Sequence, residues 1–201
     1  MAEVNFNYMA KSPLSGKTVA SQEKLVSQQK GNRDLQNLRE AAKREISQAV
    51  YSYFTASREV LNELFTDGMT YQEYFAHEAS DEMGHYLQLL RMVSKLDSTQ
   101  KEQFIEHTLG AYLVENQEPS FKLWRGPYCY PPQERELRWL NTFREVVKAI
   151  SLELETINKY EQYINEAGNP EVKQLFTEIL NHEKGDLADF NQMLFSLFNI
   201  K

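Results

Sequence analysis

The chain has 201 residues, of which 41% are hydrophobic and 25% charged, as expected for one globular domain that is large enough to bury a core. Its net charge of −7 and its lack of a basic stripe argue against a nucleic-acid-binding protein, because phosphate contacts need clustered Lys and Arg. A single cysteine, Cys129, excludes an internal disulfide framework and a Cys-x-x-Cys metal site.

We expect neither a secretory leader nor a membrane span. The first thirty residues are polar and lack the apolar stretch of a signal peptide. No apolar run approaches the roughly 18 residues that cross a bilayer. The sequence therefore predicts a soluble, cytoplasmic protein, and its single cysteine fits a reducing compartment.

The chain divides into an arm and a helical domain. Residues 1–31 are rich in Ser, Lys and Gln, which predicts a polar N-terminal arm closed by Gly31. Residues 32–201 are predicted to form one helical domain. Asn32 to Thr66 reads as its first long helix, because apolar residues recur every three or four positions. Glu45 lies in the middle of this apolar stripe.

The second helix carries two polar residues on its inward face. Thr70 and Glu73 form a capping box that opens a helix from Tyr71 to Leu96. The short connection before it predicts that it packs antiparallel to the first helix. Glu82 and His85 are three residues apart in its inward stripe and can therefore reach one ion together. A buried carboxylate is costly unless it is paired or binds a metal.

Residues 97–132 are predicted to cross over to the far end of the helical bundle. Thr99 and Glu102 form a capping box, which predicts a short helix that ends near Gly110. The rest of this segment is aromatic and irregular. Because long structureless loops are uncommon inside compact domains, we expect it to pack along the side of the bundle.

Two further long helices complete the predicted domain. The third runs from Gln133 to Ala167 and carries Glu153 in its inward stripe. Asn169 as N-cap and Pro170 at the first helical position predict the start of a fourth helix, which ends near Leu197.

The same arrangement of inward polar residues occurs in both halves of the chain. A first helix has one glutamate, and the next has a pair three residues apart. The six residues are Glu45, Glu82 and His85 in the first half, and Glu153, Glu183 and Asp186 in the second. Two neighbouring divalent ions need bridging and terminal carboxylates of this kind, so the pattern predicts a dinuclear metal site inside a four-helix bundle.

The chain resembles the ferritin-like di-iron carboxylate superfamily, and its layout is similar to rubrerythrin-type domains. The stretches that carry the resemblance are AKREISQAV, DEMGH, AISLELETINKY and ILNHEKGDL, and with their helices they cover about residues 32–198. The resemblance implies an all-α fold, a ferritin-like antiparallel four-helix bundle of two hairpins joined by a long crossover. It also implies two iron ions, with manganese or a mixed Mn/Fe pair as alternatives, held by these six inward residues.

The implied activity is that of a non-haem oxidoreductase that uses oxygen or peroxide. An oxygenase acting on a small organic substrate, a peroxidase and a ferroxidase all fit. Classical rubrerythrins carry a rubredoxin domain that needs four cysteines, so this chain would depend on an external electron donor. We also expect a homodimer as the default for a helical bundle.

One position departs from the resemblance. Asp186 stands where a second histidine is expected, which leaves two readings open: a carboxylate-rich site that still binds metal, or a site that has lost it. His182 is an alternative ligand that ranks behind Asp186. Glu78, one turn before Glu82, could be an additional ligand, a residue that contacts the ligands or a carboxylate at a channel mouth, and we do not count it among the six ligands. With Glu78, three further side chains are candidates for residues that contact the ligands rather than the metal: His182, Tyr53 and Tyr160.

A metal-free bundle is the competing interpretation. Its inward Glu, Asp and His would pair with Arg, Lys or Tyr in a buried network, at some cost in stability. The corresponding function is a catalytically silent ferritin-like scaffold, and a metal-binding protein without turnover lies between the two.

Overall fold

The computed structural model describes residues 15–57, 60, 63–66, 68–106 and 135–199. Five helices and two very short strands occur in this part of the chain. In order they are α1 (Ser15–Ala56), β1 (Leu64–Thr66), β2 (Met69–Thr70), α2 (Tyr71–Leu96), α3 (Ser98–Glu106), α4 (Arg135–Glu166) and α5 (Pro170–Asn199). No helix among the described residues combines the length and the apolar character needed to cross a membrane.

Two predicted helix starts are confirmed. Helix α2 spans Tyr71–Leu96, as the sequence predicts, and its capping box is formed. The Glu73 backbone N–H donates to the Thr70 hydroxyl oxygen over 3.1 Å, and the Thr70 N–H donates to the Glu73 carboxylate over 3.1 Å. At the start of α5 the Asn169 side-chain oxygen accepts from the Glu171 N–H over 2.8 Å. Local chemistry fixes both starts.

The predicted bounds of the first helix are wrong at both ends. Helix α1 passes through Gly31, because one exposed glycine costs only about 1 kcal/mol in a long helix. It ends at Ala56 rather than at Thr66. Strands β1 and β2 pair antiparallel around Gly68, whose φ of 83° lies in the left-handed region that glycine adopts without strain. Leu64, which continues the apolar period of the predicted first helix, is 64% exposed.

The cap of α3 also differs from the prediction. The Asp97 carboxylate accepts from the backbone N–H groups of Thr99 and Gln100, both over 3.1 Å, so Asp97 rather than Thr99 caps this helix. The predicted helix end near Gly110 and the rest of the crossover to residue 132 lie outside the described residues. So do residues 1–14 of the predicted arm.

Helices α1 and α2 form an antiparallel pair. Arg39 of α1 forms an ion pair of 2.7 Å with Asp97 at the end of α2. Gln72 at the start of α2 donates to the carbonyl of Ala56 at the end of α1 over 2.8 Å. From the start of α2 to its end, the contact on α1 moves back along the chain from Ala56 to Arg39, so the helices run antiparallel, as predicted from the short connection.

Helices α4 and α5 form a second antiparallel pair. The Trp139 indole N–H near the start of α4 donates to the carbonyl of Leu197 near the end of α5 over 3.0 Å. Asp34 of α1 is 2% exposed and accepts from the backbone N–H groups of Gly168 and Asn169, both over 2.9 Å. The buried carboxylate thereby fixes the α4–α5 turn against α1.

The two pairs pack together around two apolar clusters. All four long helices contribute to the first cluster, which includes Leu38, Leu89, Tyr160 and Phe176. The second cluster includes Phe75, Val146, Phe190 and Met193. On each long helix the two clusters occupy opposite ends of the packed face, and polar side chains lie between them. The fold is therefore a helical bundle with a polar layer inside an apolar core.

Candidate metal centre

The polar layer consists of carboxylates and one imidazole that are almost fully removed from solvent. Each long helix contributes at least one of them, and none is more than 4% exposed. The residues are Glu45 of α1, Glu78, Glu82 and His85 of α2, Glu153 of α4 and Glu183 of α5. Acidic residues almost never reach this degree of burial without a partner.

Four of these side chains form a first ligand group around His85. One ligand atom from each of Glu45, Glu82, His85 and Glu183 can be chosen so that all lie within 4.8 Å of one another. The His85 Nδ1 atom lies 3.2 Å from Glu183 Oε1, 3.3 Å from Glu45 Oε2 and 3.7 Å from Glu82 Oε2. This group offers three carboxylates and one imidazole to a single cation.

A second ligand group adjoins the first. Ligand atoms of Glu78, Glu82 and Glu153 also lie within 4.8 Å of one another. Glu82 belongs to both groups, which is the position of a carboxylate that bridges two cations. Because Glu78 and Glu82 are one helical turn apart on α2, they project from the same face.

Neighbouring side chains orient the ligands of both groups. The Tyr160 hydroxyl donates to Glu45 Oε1 over 2.5 Å. Gln48 donates to Glu153 Oε1 over 3.2 Å, and the Thr156 hydroxyl donates to the Gln48 side-chain oxygen over 2.8 Å. These donors are uncharged, so they fix the carboxylates without neutralising them.

His182 contacts the outer side of His85. Its Nδ1 lies 3.0 Å from His85 Nε2, the ring nitrogen that faces away from the carboxylates. In this geometry the two rings share one hydrogen bond, and His85 Nδ1 faces the ligand group. Such an outer partner sets the tautomer and the orientation of a metal-binding imidazole.

Among the described residues, His85 is the basic side chain that pairs with these carboxylates. Within the part of the chain that the structure describes, no Lys or Arg forms an ion pair with any of these carboxylates. Arg44, the neighbour of Glu45 in sequence, instead pairs with Glu155 over 3.4 Å. The competing interpretation expects partners among Arg, Lys and Tyr, and Tyr160 alone fits it among the described residues.

The pKa values reflect the excess of carboxylates over basic groups in the polar layer. Burial, together with the charges of Glu45 and Glu183, raises the pKa of Glu82 well above 4.5. Burial and the nearby Glu183 raise the pKa of Glu153 to about 11. For His85, burial acts to lower the pKa, but the carboxylates of Glu183 and Glu45 outweigh it and raise the pKa to about 10. Without a metal, the layer therefore retains protons at neutral pH.

Several buried ligand atoms lack a well-aligned hydrogen bond, although His85 Nδ1 lies 3.3 Å from Glu45 Oε2 and 3.2 Å from Glu183 Oε1. They are Oε2 of Glu45, Glu82 and Glu153, both carboxylate oxygens of Glu183, and Nδ1 of His85. An unsatisfied buried polar atom costs about 1–3 kcal/mol, and more when it is charged. Because these atoms belong to the two ligand groups, one or two cations would satisfy them together. The donor set fits a divalent metal.

The structure brings together some, but not all, of the six ligands predicted from sequence. Five of them, all except Asp186, belong to the two ligand groups. Asp186 is half-buried and belongs to neither group, so its role as a ligand stays a prediction. Burial and the neighbouring Glu183 raise the pKa of Asp186 to about 7.

The four predicted contact residues also differ in position. Tyr160 and His182 each contact a ligand, Glu45 and His85 respectively. Glu78 lies among the ligand atoms themselves. Tyr53 is half-buried, and its ring packs edge-on against Phe54.

Sequence reasoning missed the neutral side chains behind the ligands. Gln48 and Thr156 are buried and are hydrogen-bonded to each other. A signal exists in the spacing, since each lies three residues after an inward glutamate, Glu45 or Glu153, and so shares its helix face. Polar residues at such positions are candidates for supporting the ligands.

Comparisons with protein-family profiles, with curated proteins and with solved structures gave no significant match. The function of this chain is therefore inferred from its own geometry and chemistry.

Proposed function

We propose that the chain is a ferritin-like di-iron carboxylate protein that acts as a non-haem oxidoreductase with oxygen or peroxide. One observation carries the proposal: buried carboxylates and an imidazole from all four long helices, several of whose atoms lack a well-aligned hydrogen bond, gather into two groups that share Glu82. The four-helix origin of the ligands is the arrangement known from di-iron bundles.

The donor set suits iron or manganese. Carboxylate oxygens suit hard divalent ions, and imidazole suits iron and its later neighbours in the first transition row. Two divalent cations would also offset four of the five negative charges that the carboxylates of the two groups carry when ionised. Two bound iron ions would supply a redox-active pair that passes electrons to oxygen or peroxide.

The residues of the chain would hold and insulate this pair. Glu82 would bridge the two cations, and Tyr160 would fix the orientation of Glu45. His182 would keep the Nδ1 atom of His85 directed at the first ligand group. The apolar clusters on either side of the polar layer would exclude water, which strengthens every electrostatic interaction between them.

The first test is metal stoichiometry after anaerobic loading with Fe²⁺. We expect about two ions per wild-type chain and a loss of both tight sites in Glu82→Gln. Glu145→Gln is a matched control, because Glu145 is 3% exposed but pairs with Arg144 over 2.8 Å and lies outside both ligand groups. The control should bind two ions. No metal in the wild type would refute the proposal.

The second test is turnover. Iron-loaded wild-type protein, supplied with an external electron donor, should consume oxygen or peroxide faster than the same concentration of free Fe²⁺. The Glu82→Gln variant should not exceed free Fe²⁺.

A catalytically silent scaffold or metal-binding protein is the second candidate. The position of Asp186 favours it, because the half-buried carboxylate joins neither ligand group and the predicted pair with Glu183 is incomplete. A wild-type protein that binds two ions but consumes neither oxygen nor peroxide would be a metal-binding protein, and one that binds none would be a scaffold.

A further inference from the structure

The second ligand group differs from the first in its chemistry. We propose that Glu78, Glu82 and Glu153 form an all-carboxylate metal site that takes a hard divalent ion such as Mn²⁺, and that Glu78 rather than Asp186 completes it. This inference rests on the proposed dinuclear function and assigns the residues and the ion class of its second site.

The geometry of Glu78 supports this assignment. It lies one helical turn before Glu82 on α2, and its ligand atom is within 4.8 Å of those of Glu82 and Glu153. Glu78 is 2% exposed, so its carboxylate is held inside the polar layer. Asp186 of α5 is half-buried and has no place in either group.

One oxygen of this site is available to bind a cation. Oε2 of Glu153 is buried and has no hydrogen-bond partner, and Glu153 is 3% exposed. Gln48 binds the other oxygen of Glu153, Oε1, and Thr156 in turn holds Gln48. One oxygen of Glu153 is thus anchored by a neutral donor, while the second is left for a ligand.

The difference between the two groups predicts a difference in metal preference. The first group contains the only imidazole among these ligands, His85, whereas the second offers carboxylate oxygen alone. Imidazole favours Zn²⁺ and Fe²⁺, while carboxylate and water favour Mn²⁺ and Mg²⁺. Zn²⁺ should therefore fill the site with His85 first, whereas the site with Glu78 should prefer Mn²⁺.

The experiment is a Mn²⁺ titration in which the electron paramagnetic resonance of the free ion reports the bound fraction. The wild type should bind two Mn²⁺. Glu78→Gln should bind one with its original affinity and the second at least about 100-fold more weakly, since loss of a ligand exceeds the 10–100-fold effect of losing an outer partner. Asp186→Asn is the matched control, with the same loss of charge, and should bind two.

A second arm tests the preference. Protein loaded with one equivalent of Zn²⁺ should bind one Mn²⁺ in the wild type and none tightly in Glu78→Gln. Glu78→Asp keeps the carboxylate and should recover part of the Mn²⁺ affinity. A thermal unfolding curve of each variant without metal shows that the protein tested is folded.

The outcomes separate the two proposals. A wild type that binds fewer than two Mn²⁺ would refute the dinuclear centre itself. Two ions in the wild type, with both retained in Glu78→Gln or one lost in Asp186→Asn, would overturn only the assignment of Glu78. Equal affinity of the two sites for Zn²⁺ would overturn the proposed difference in preference.

Discussion

Glu82 is the residue at which stability and metal binding should have opposite requirements. It is 2% exposed, belongs to both ligand groups and forms no ion pair with Lys or Arg among the described residues. Burial and two neighbouring carboxylates raise its pKa well above 4.5. Folding without metal therefore takes up a proton here, and each pH unit between 4.5 and the folded-state pKa costs about 1.4 kcal/mol.

Glu82→Gln keeps the size of the side chain and removes this cost. At pH 7, 2.5 pH units above 4.5, the proton uptake costs the wild type about 3 kcal/mol and costs the variant nothing, so the metal-free variant should have the higher free energy of unfolding. With bound metal, the wild type should have the higher free energy of unfolding. At a free metal concentration 100 times its dissociation constant, the wild type gains about 2.7 kcal/mol from each of the two proposed sites, while the variant gains nothing.

The assay is urea unfolding of both proteins, with a chelator and with excess Mn²⁺. We expect the variant to unfold at higher urea with chelator and the wild type to unfold at higher urea with Mn²⁺. If the wild type is already the more stable protein with chelator, and Mn²⁺ leaves both curves in place, Glu82 is a satisfied structural residue and the reasoning is wrong.

Three further predictions test the surroundings of the site. Folding raises the pKa of Glu153 from 4.5 to about 11 and the pKa of His85 from 6.5 to about 10. The free energy of unfolding of the metal-free protein should therefore fall as pH rises from 5 to 9. A flat profile in urea unfolding at pH 5, 7 and 9 would contradict this. His182→Ala should lower Mn²⁺ affinity about 10–100-fold, because His182 orients His85. His182→Gln should recover part of this affinity, and His77→Ala, at an exposed position, should have no effect. Equal Mn²⁺ affinities of the wild type and His182→Ala would exclude a positioning role for His182. Tyr160→Phe loses the hydrogen bond to Glu45 and should weaken Mn²⁺ binding about tenfold in the Mn²⁺ titration. An unchanged Mn²⁺ affinity would show that this hydrogen bond does not hold Glu45 in place.

Local signals account for the parts of the fold that sequence reasoning predicted well. The capping box of Thr70 and Glu73 and the cap at Asn169 fix where α2 and α5 begin, because each involves residues within one turn of chain. The alternation of three and four residues between apolar positions identifies the inward face, and it correctly places Glu45 and Glu153 inside.

The errors arise where a distant contact or a turn competes with a local pattern. Leu64 continues the apolar period of α1, but the turn at Gly68 allows β1 and β2 to pair, and this pairing removes Leu64 from the core. Thr99 has the spacing of a capping box, yet Asp97 offers a charged acceptor two residues earlier and also binds Arg39 from α1. Neither competing contact can be identified from a helical period.

The choice between Glu78 and Asp186 likewise lies beyond the sequence. Both residues continue an inward stripe that contains a neighbouring glutamate, so both are candidates for the site. Which of them reaches the second ligand group depends on the rotation of α2 and α5 about their own axes. That rotation is set by the packing of large side chains such as Phe75 against Phe190, whose ring centroids lie 5.6 Å apart.

Among the described residues, the polar layer contains more carboxylates than basic side chains. The two groups contain five carboxylates and one imidazole, and no Lys or Arg pairs with them in the described part of the chain. Protons can neutralise such a layer, but a bundle that needed only stability would gain more from apolar residues that join the two clusters. Divalent cations would give the layer a use that protons do not, since they would contact the buried carboxylate oxygens and His85 Nδ1 together. The interruption of an otherwise continuous core is therefore the strongest physical argument for a metal centre in this protein.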